Sequence, residues 1–209
     1  MSVNRIDFLQ KYWNYYVHLE NDCLQLAQYI EFCSVNYNTC SNAIIAQLLN
    51  VGAEFDHFCK VVCGILAYDR YPYPNISDYA AYLLNEIPDL KDVKVHLQGY
   101  PVDLYPFKNW NPKKASKLFW WKAYTNIKHD RTANYTKGNL YNLLNALAAL
   151  YYLEMYYCRK IADESMQEDA IDVPVSASRL FRIVPWKTNY VIIGQNLYTD
   201  YENGSDNIL

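Results

Sequence analysis

One short stretch, residues 120–131 (WWKAYTNIKHDR), concentrates the side chains best suited to chemistry. At helical spacing Lys122, Asn126 and His129 fall together, because steps of three and four residues share one face of an α-helix. An imidazole can transfer a proton near neutral pH, and cations neutralise the oxygens of a phosphate group. This set of residues therefore suits the binding of a phosphodiester and its cleavage by acid–base chemistry.

Further cations surround this set. Lys128 and Arg131 lie on flanking faces, and Lys117 precedes the stretch. From residue 108 to residue 137 there are eight lysines and arginines against a single acid, Asp130, although the whole chain has a formal net charge of -3. A concentrated basic segment in an acidic chain predicts a localised anion site.

The same residues also fit a purely structural helix end. In that interpretation Trp120, Trp121 and Tyr124 anchor the core, His129 caps the last carbonyl groups of the helix, and the lysines are solvated. The sequence contains no Walker loop, dinucleotide fingerprint or nucleophile elbow that would point to another chemistry. Residue types alone leave both interpretations open.

One acidic residue, Glu20, is also assigned to the candidate site. It falls on the apolar stripe of the first predicted helix, where a carboxylate without a partner would be costly. We expect it to face the basic helix and to pair with Arg131, Lys122 or His129. The alternative is an edge position where the carboxylate reaches solvent.

The cysteines and the overall composition limit the other classes of function. Cys59 and Cys63 share a helical face close to His57, but no CxxC or HExxH pattern accompanies them, so we predict core packing and no metal or cofactor. No apolar run approaches the roughly 20 residues that span a bilayer, and no signal peptide is recognisable. We therefore expect a cytoplasmic protein with no membrane partner. Its 209 residues are 52% hydrophobic, enough for a sizeable core.

The elements that position the stretch begin with two long helices. Apolar residues recur at three- and four-residue spacing over residues 5–35 and again over 41–67. The short polar turn 36–39 between them predicts a long antiparallel helical hairpin. Gly52 in the second helix would allow a neighbouring element to approach closely.

The middle of the chain is more irregular. Asn75-Ile76-Ser77-Asp78 is typical of a capping box that opens a short helix ending near Glu86. The alternation over residues 93–97 indicates a short edge strand within a proline-rich loop. A fourth helix is expected to start between residues 111 and 116 and to run into the WWKAYTNIKHDR stretch.

A fifth apolar helix is predicted over residues 139–164, which completes an all-α helical bundle in a domain of residues 1–164. Residues 165–209 are expected to form a linker and a small extension, in which 180–184 and 190–193 pair as a β-hairpin. The residues expected to share the helical core are Trp13, Tyr16, Leu48, Phe55, Leu143, Leu147 and Leu150.

With these elements in place, the chain resembles the HEPN superfamily, the all-helical proteins that include prokaryotic toxins, abortive-infection proteins and related nucleotide- or RNA-binding domains. The likeness covers residues 5–164, and residues 120–154 carry most of it. There, a helix ends in Asn126-Ile127-Lys128-His129 and another long apolar helix follows. The C-terminal extension lies outside the likeness.

Active members of that superfamily are metal-independent ribonucleases with an Arg-x(4–6)-His motif, commonly assembled in a dimer. The resemblance implies that His129 is the general acid or base and that Asn126 orients the substrate or the histidine. With six intervening residues, Lys122 occupies the arginine position, while Arg131 follows the histidine; both would hold phosphate. Lysine lacks the bidentate fork of arginine.

The function expected from this resemblance is that of an RNA-directed protein in phage defence or a toxin system, with RNA or a nucleotide and an antitoxin-like protein as partners and a homodimeric assembly. Lys128, Lys117 and Glu20 are assigned to substrate binding. One alternative is a non-catalytic HEPN-like module that binds a nucleotide, RNA or a protein. Another is a structural protein whose 22 tyrosines support an oligomer.

Overall fold

The computed structural model of this chain describes residues 4–64, 74–111, 118–164, 174, 177–184, 186, 188–192 and 195–199. These residues are mostly helical, with a small antiparallel sheet. None of their helices is both long and apolar enough to cross a membrane. The helices are α1 (Arg5–Phe8), α2 (Asn14–Leu26), α3 (Asn42–Val62), α4 (Ile76–Glu86), α5 (Phe119–His129) and α6 (Leu140–Glu164).

The first helical segment is interrupted by a π-helical stretch, Leu9–Trp13, between α1 and α2. A π turn holds an extra residue, so it rotates the inner face of the helix. Phe8 and Tyr12 are buried, whereas Ile6, an apolar residue within the predicted helix 5–35, is 68% exposed. The helix ends at Leu26, well before the predicted end at residue 35.

The centre of the molecule is the pair of long helices α3 and α6, which make the most extensive contact between any two helices of the described chain. α6 is buried on nearly all sides from Leu143 to Leu153, as expected for a central helix whose faces are all apolar. α2 contacts α3 less extensively. The predicted hairpin of the first two helices is therefore not confirmed as the main packing unit.

Two helix starts test the local predictions. α4 begins at the predicted capping box: the Asn75 side chain accepts from the Ser77 N–H at 2.8 Å, and the Asp78 carboxylate accepts from the Asn75 N–H at 2.8 Å. This prediction is confirmed, as is the end of that helix at Glu86. α5 begins at Phe119, later than predicted.

The predicted core is confirmed. All seven residues of the predicted seam are at most 1% exposed and belong to one hydrophobic cluster. Because apolar stripes on separate helices must be covered by one another, their common period was enough to identify them.

Three strands form a sheet in the order β2-β1-β3: β1 (Lys94–Leu97), β2 (Asp103–Leu104) and β3 (Phe181–Val184), all antiparallel. Segment 93–97, with its alternating residues, thus contains a strand as predicted. Its predicted edge position is wrong, because β1 is the central strand of this sheet. β4 (Thr188–Ile192) and β5 (Gln195–Thr199) form a separate antiparallel pair. The C-terminal extension does contain an antiparallel strand pair, as expected, but it joins β4 to β5, whereas segment 180–184 pairs with β1 and not with 190–193.

The C-terminal segment that carries β3 is an integral part of the helical body. Leu180, Phe181 and Ile183 are buried in the main core cluster. The Gln98 side chain donates to the carbonyl groups of Ser178 and Phe181 at 2.9 and 3.0 Å. Residues 178–184 thus complete a domain that the sequence pattern had ended at residue 164.

Candidate functional site

The inner face of α5 is fixed by aromatic packing. Trp120 is fully buried, its indole N–H donates to the Pro106 carbonyl at 2.8 Å, and its ring meets Phe55 edge-on at 4.8 Å between centroids. The ring of Tyr124 lies over Gly52 of α3, with its Cγ only 2.6 Å from the place where a Cβ would stand. The close approach predicted at Gly52 is therefore made by α5 itself, which sets the orientation of that helix.

The outer face of α5 carries the predicted reactive residues. Lys122 and His129 are exposed, and Asn126 between them is half-buried. Seven residues of helix separate the two ends of this set by about 10 Å, a span that the flexible stem of Lys122 can shorten. In the part of the chain that the structure describes, none of the three side chains forms a hydrogen bond or an ion pair, so all three are available to a ligand.

The end of α5 is capped by a residue other than the one expected. The Asn134 amide donates to the carbonyl groups of Asn126 and Asp130, at 3.3 and 2.8 Å. Asp130 in turn accepts from the Ala133 N–H at 3.0 Å. Because Asn134 satisfies these carbonyl groups, His129 is not needed as a cap, which removes one role that a structural interpretation gave it.

The remaining predicted cations occupy three different settings. Arg131 is exposed in the turn after α5 and has no side-chain partner among the described residues. The ammonium group of Lys128 lies 5.7 Å from the centre of the Tyr124 ring, in a cation–π contact. Lys117 lies outside the described residues, as do Lys113 and Lys114. Of the predicted site cations, Lys122, Lys128 and Arg131 are thus exposed on α5 or directly after it.

Glu20 does not belong to this site. It is 1% exposed, and its carboxylate accepts from the Tyr16 hydroxyl at 2.7 Å, from the Ser178 hydroxyl, and from the N–H groups of Arg179 and Leu180 at 3.0 and 3.2 Å. The predicted pairing with a cation of the basic helix, and with it a role in substrate binding, is wrong. The carboxylate is stabilised by hydroxyl and backbone donors from a distant part of the chain.

A second histidine, which the sequence did not single out, is oriented by a carboxylate. His96 Nδ1 lies 2.8 Å from Asp103 Oδ1, and Lys94 Nζ lies 3.3 Å from the other oxygen. The hydrogen bond to His96, followed by that to Lys94, lowers the pKa of Asp103. Arg182 stands opposite His96 in the neighbouring strand. Only the strand register brings these residues together, so the alternation over 93–97 was the sole sequence signal.

Two carboxylates inside the helical body have unusual electrostatics. Glu154 on α6 is fully buried, and within the described part of the chain neither of its carboxylate oxygens has a hydrogen-bond partner. Burial, and then the nearby Glu54 carboxylate, raise its pKa well above the ordinary value. Burial also raises the pKa of Glu54 on α3 to about 7. For both carboxyl groups burial thus favours the neutral form over the charged one.

No group of three or more histidine, cysteine or acidic side chains able to hold a metal ion is present among the described residues. Comparison with protein-family models, with curated proteins and with solved structures finds no match to this chain. What can be said of function therefore depends on the site itself.

Proposed function

We propose that this chain is an RNA-directed protein of the HEPN-like type, in which the outer face of α5 receives the phosphodiester backbone. The observation that carries the proposal is that Lys122 and His129 are exposed, with Asn126 between them, on a helix whose other face is fixed in the core, and that none of the three side chains has a partner among the described residues. A rigid support holds reactive groups at fixed positions, which catalysis requires.

In the proposed reaction His129 takes the proton from the ribose 2′-hydroxyl, which attacks the neighbouring phosphorus atom. The bond to the 5′-oxygen of the next nucleotide breaks, and that oxygen takes up a proton from the protonated His129 or from water as it leaves. Lys122 and Arg131 neutralise the charge that develops on the phosphate oxygens, and Lys128 adds to the local field. Asn126 orients the substrate or the imidazole. The protein is expected to act in the cytoplasm as a homodimer in phage defence or a toxin system, with an antitoxin-like protein as partner.

The wider fold is part of this proposal. HEPN-like folds pair their first two long helices, and the Gln47 side chain on α3 donates to the Asp22 carbonyl on α2 at 2.7 Å. This contact supports such a pairing, although α3 packs more extensively on α6.

One observation favours binding without cleavage as the second candidate function. Among the described residues no carboxylate or carbonyl group orients His129, whereas most catalytic histidines are held by such a partner. In addition, Lys122 stands where the resembled motif has arginine. A module that binds RNA or a nucleotide through its cations alone needs neither feature.

Cleavage of a labelled single-stranded RNA in the presence of a chelator, together with binding at low salt, tests both functions. We expect the wild-type protein to bind and cut, His129→Ala to bind without cutting, and Lys122→Arg to cut at least as fast as wild type. His18→Ala, at a solvent-exposed histidine of α2, and His96→Ala are matched controls. Binding with no cleavage selects the second candidate, and undiminished cleavage by His129→Ala contradicts the first.

A further inference from the structure

A cleft of about 560 Å³ opens on the molecule at a place unrelated to α5. It lies between α6, the segment that follows α4, and the end of β3. Its apolar walls are formed by side chains from all three elements, namely Ile87, Val93, Tyr152, Ile183 and Trp186. The volume falls within the range of small-molecule sites in proteins, roughly 300–1,000 Å³.

The aromatic wall of the cleft already holds one cation. The rings of Tyr152 and Trp186 lie 5.3 Å apart between centroids, and the guanidinium group of Arg159 lies 4.7 Å from the centre of the Trp186 ring. Aromatic faces attract organic cations through the negative charge above the ring. Because Arg159 already covers a face of Trp186, what the aromatic wall offers a ligand is apolar ring surface.

The rim of the cleft is acidic. Glu86, Asp89 and Asp92 line it and are exposed, and within the described chain none of their carboxylates forms an ion pair. Arg159 is the single basic residue among the lining residues. Three carboxylates against one guanidinium leave an excess of negative charge around an apolar floor.

We propose that this cleft binds an organic polycation of the polyamine class, whose methylene chain lies on the apolar and aromatic walls while its ammonium groups meet the carboxylates of the rim. Burial of the methylene groups and attraction to the acids act on different parts of the same ligand. Three separate carboxylates match more than one ammonium group, whereas no group of three or more acids, histidines or cysteines among the described residues could hold a metal ion. This inference is independent of the proposed action on RNA.

Calorimetric titration of the full chain with spermidine tests the proposal. The comparison ligands are a neutral diol of matched length, Mg²⁺ and a lysine-rich peptide. We expect spermidine to bind more tightly than the diol and Mg²⁺, and the double variant Asp89→Asn/Asp92→Asn to weaken it about tenfold. Glu31→Gln, an exposed acid that does not line the cleft, should leave binding unchanged.

Trp186→Ala should also weaken the binding of spermidine. Circular dichroism will show whether that variant keeps its fold. Because Asp89 and Asp92 are exposed, their substitution tests the site even if the tryptophan variant unfolds. The proposal is overturned if spermidine fails to bind at millimolar concentration, if the diol or Mg²⁺ binds equally well, or if the double variant binds like wild type. If the lysine-rich peptide binds and spermidine does not, the assignment to a small molecule is overturned.

Discussion

Glu20 on α2 and Ser178, just before β3, are hydrogen-bonded to each other in the interior of the molecule, although 158 residues separate them. Glu20 also accepts from the next two backbone N–H groups, and Tyr16 donates to the same carboxylate. Burial, and then the Glu20 charge, raise the pKa of the Tyr16 hydroxyl well above its ordinary value, so that hydroxyl remains a donor. One carboxylate thus fastens the C-terminal segment to the first helix.

Replacing Glu20 should therefore destabilise the whole fold. We expect Glu20→Ala to lower the free energy of unfolding by about 3–5 kcal/mol, because several buried donors lose their acceptor. Ser178→Ala should cost about 1–2 kcal/mol. Urea unfolding measures both, and Glu31→Gln is the control for loss of a carboxylate. A Glu20→Ala variant within about 0.5 kcal/mol of wild type would contradict the anchoring role.

The buried carboxylates predict a loss of stability as the pH rises. The pKa values of Glu54 and Glu154 are raised in the folded protein, so the folded state binds more protons than the unfolded state above about pH 4.5. The stability that these two protonated groups contribute is fully present below that pH. It declines as the pH rises through about 7 for Glu54 and through the raised pKa of Glu154 for the second group. The free energy of unfolding should therefore be lower at pH 8 than at pH 5.5.

Glu154→Gln isolates this effect. It should raise the free energy of unfolding at pH 8 by about 1–3 kcal/mol and flatten its dependence on pH, because an amide has no charge to desolvate. Measurements should stay above pH 5, where Asp103, whose pKa is lowered, remains ionised. Equal slopes with pH for wild type and Glu154→Gln would rule out Glu154 as the source.

The contact between Gly52 and Tyr124 predicts a reversal of the usual effect of replacing glycine in a helix. Gly→Ala in a helix interior ordinarily stabilises by roughly 0.5–1 kcal/mol. At Gly52 a Cβ would stand only 2.6 Å from the Tyr124 Cγ, so we expect Gly52→Ala to destabilise by about 1–3 kcal/mol.

Thermal unfolding compares Gly52→Ala with the double variant Gly52→Ala/Tyr124→Leu, in which the smaller side chain makes room for the new methyl group. We expect Gly52→Ala to lower the stability less when Tyr124 is already leucine, that is, when the double variant is compared with Tyr124→Leu alone, than when it is made in the wild type. If the two substitutions prove additive, α3 and α5 are not coupled at this contact.

If RNA binds to the outer face of α5, the cations on that face should determine how steeply its affinity falls with salt concentration. Lys122→Gln and Arg131→Gln should each reduce the slope of log affinity against log salt by about 0.7 for single-stranded RNA. Lys11→Gln, at a lysine already paired with Asp7 at 2.6 Å, is the matched control. Fluorescence anisotropy over a salt series measures the slopes, and equal slopes for all three variants would place the RNA elsewhere.

Local features of this fold could be predicted from the sequence. Leu48, Phe55 and Leu147 were identified as core by their period, because a helix must bury its apolar stripe. The capping box at Asn75 was identified because its hydrogen bonds join residues only three apart. The helical placement of Lys122, Asn126 and His129 belongs to the same class, since they share a face whenever the segment is helical.

Features that depend on tertiary contacts, on strand register or on an irregular helical turn could not be predicted from the sequence. Glu20 was assigned to the wrong partners because three of its four donors lie about 160 positions away, and two of those three are backbone groups without a side-chain signature. The pairing of His96 with Asp103 depends on strand register. The π-helical segment Leu9–Trp13 breaks the regular three- and four-residue period of the first helical segment, and a count of apolar residues does not detect it.

The late position of Ser178 and β3 has a consequence for biosynthesis. At about 5–20 residues per second, a ribosome finishes β1 on the order of ten seconds before it makes β3. During that interval the nascent helices carry an open edge on β1 and a Glu20 carboxylate without its main donors. Exposed edges and unsatisfied charges are features that aggregate or recruit chaperones. Docking of residues 178–184 pairs that edge of β1 with β3 and supplies the donors to Glu20, so both sets of contacts are completed only after these residues have been synthesised.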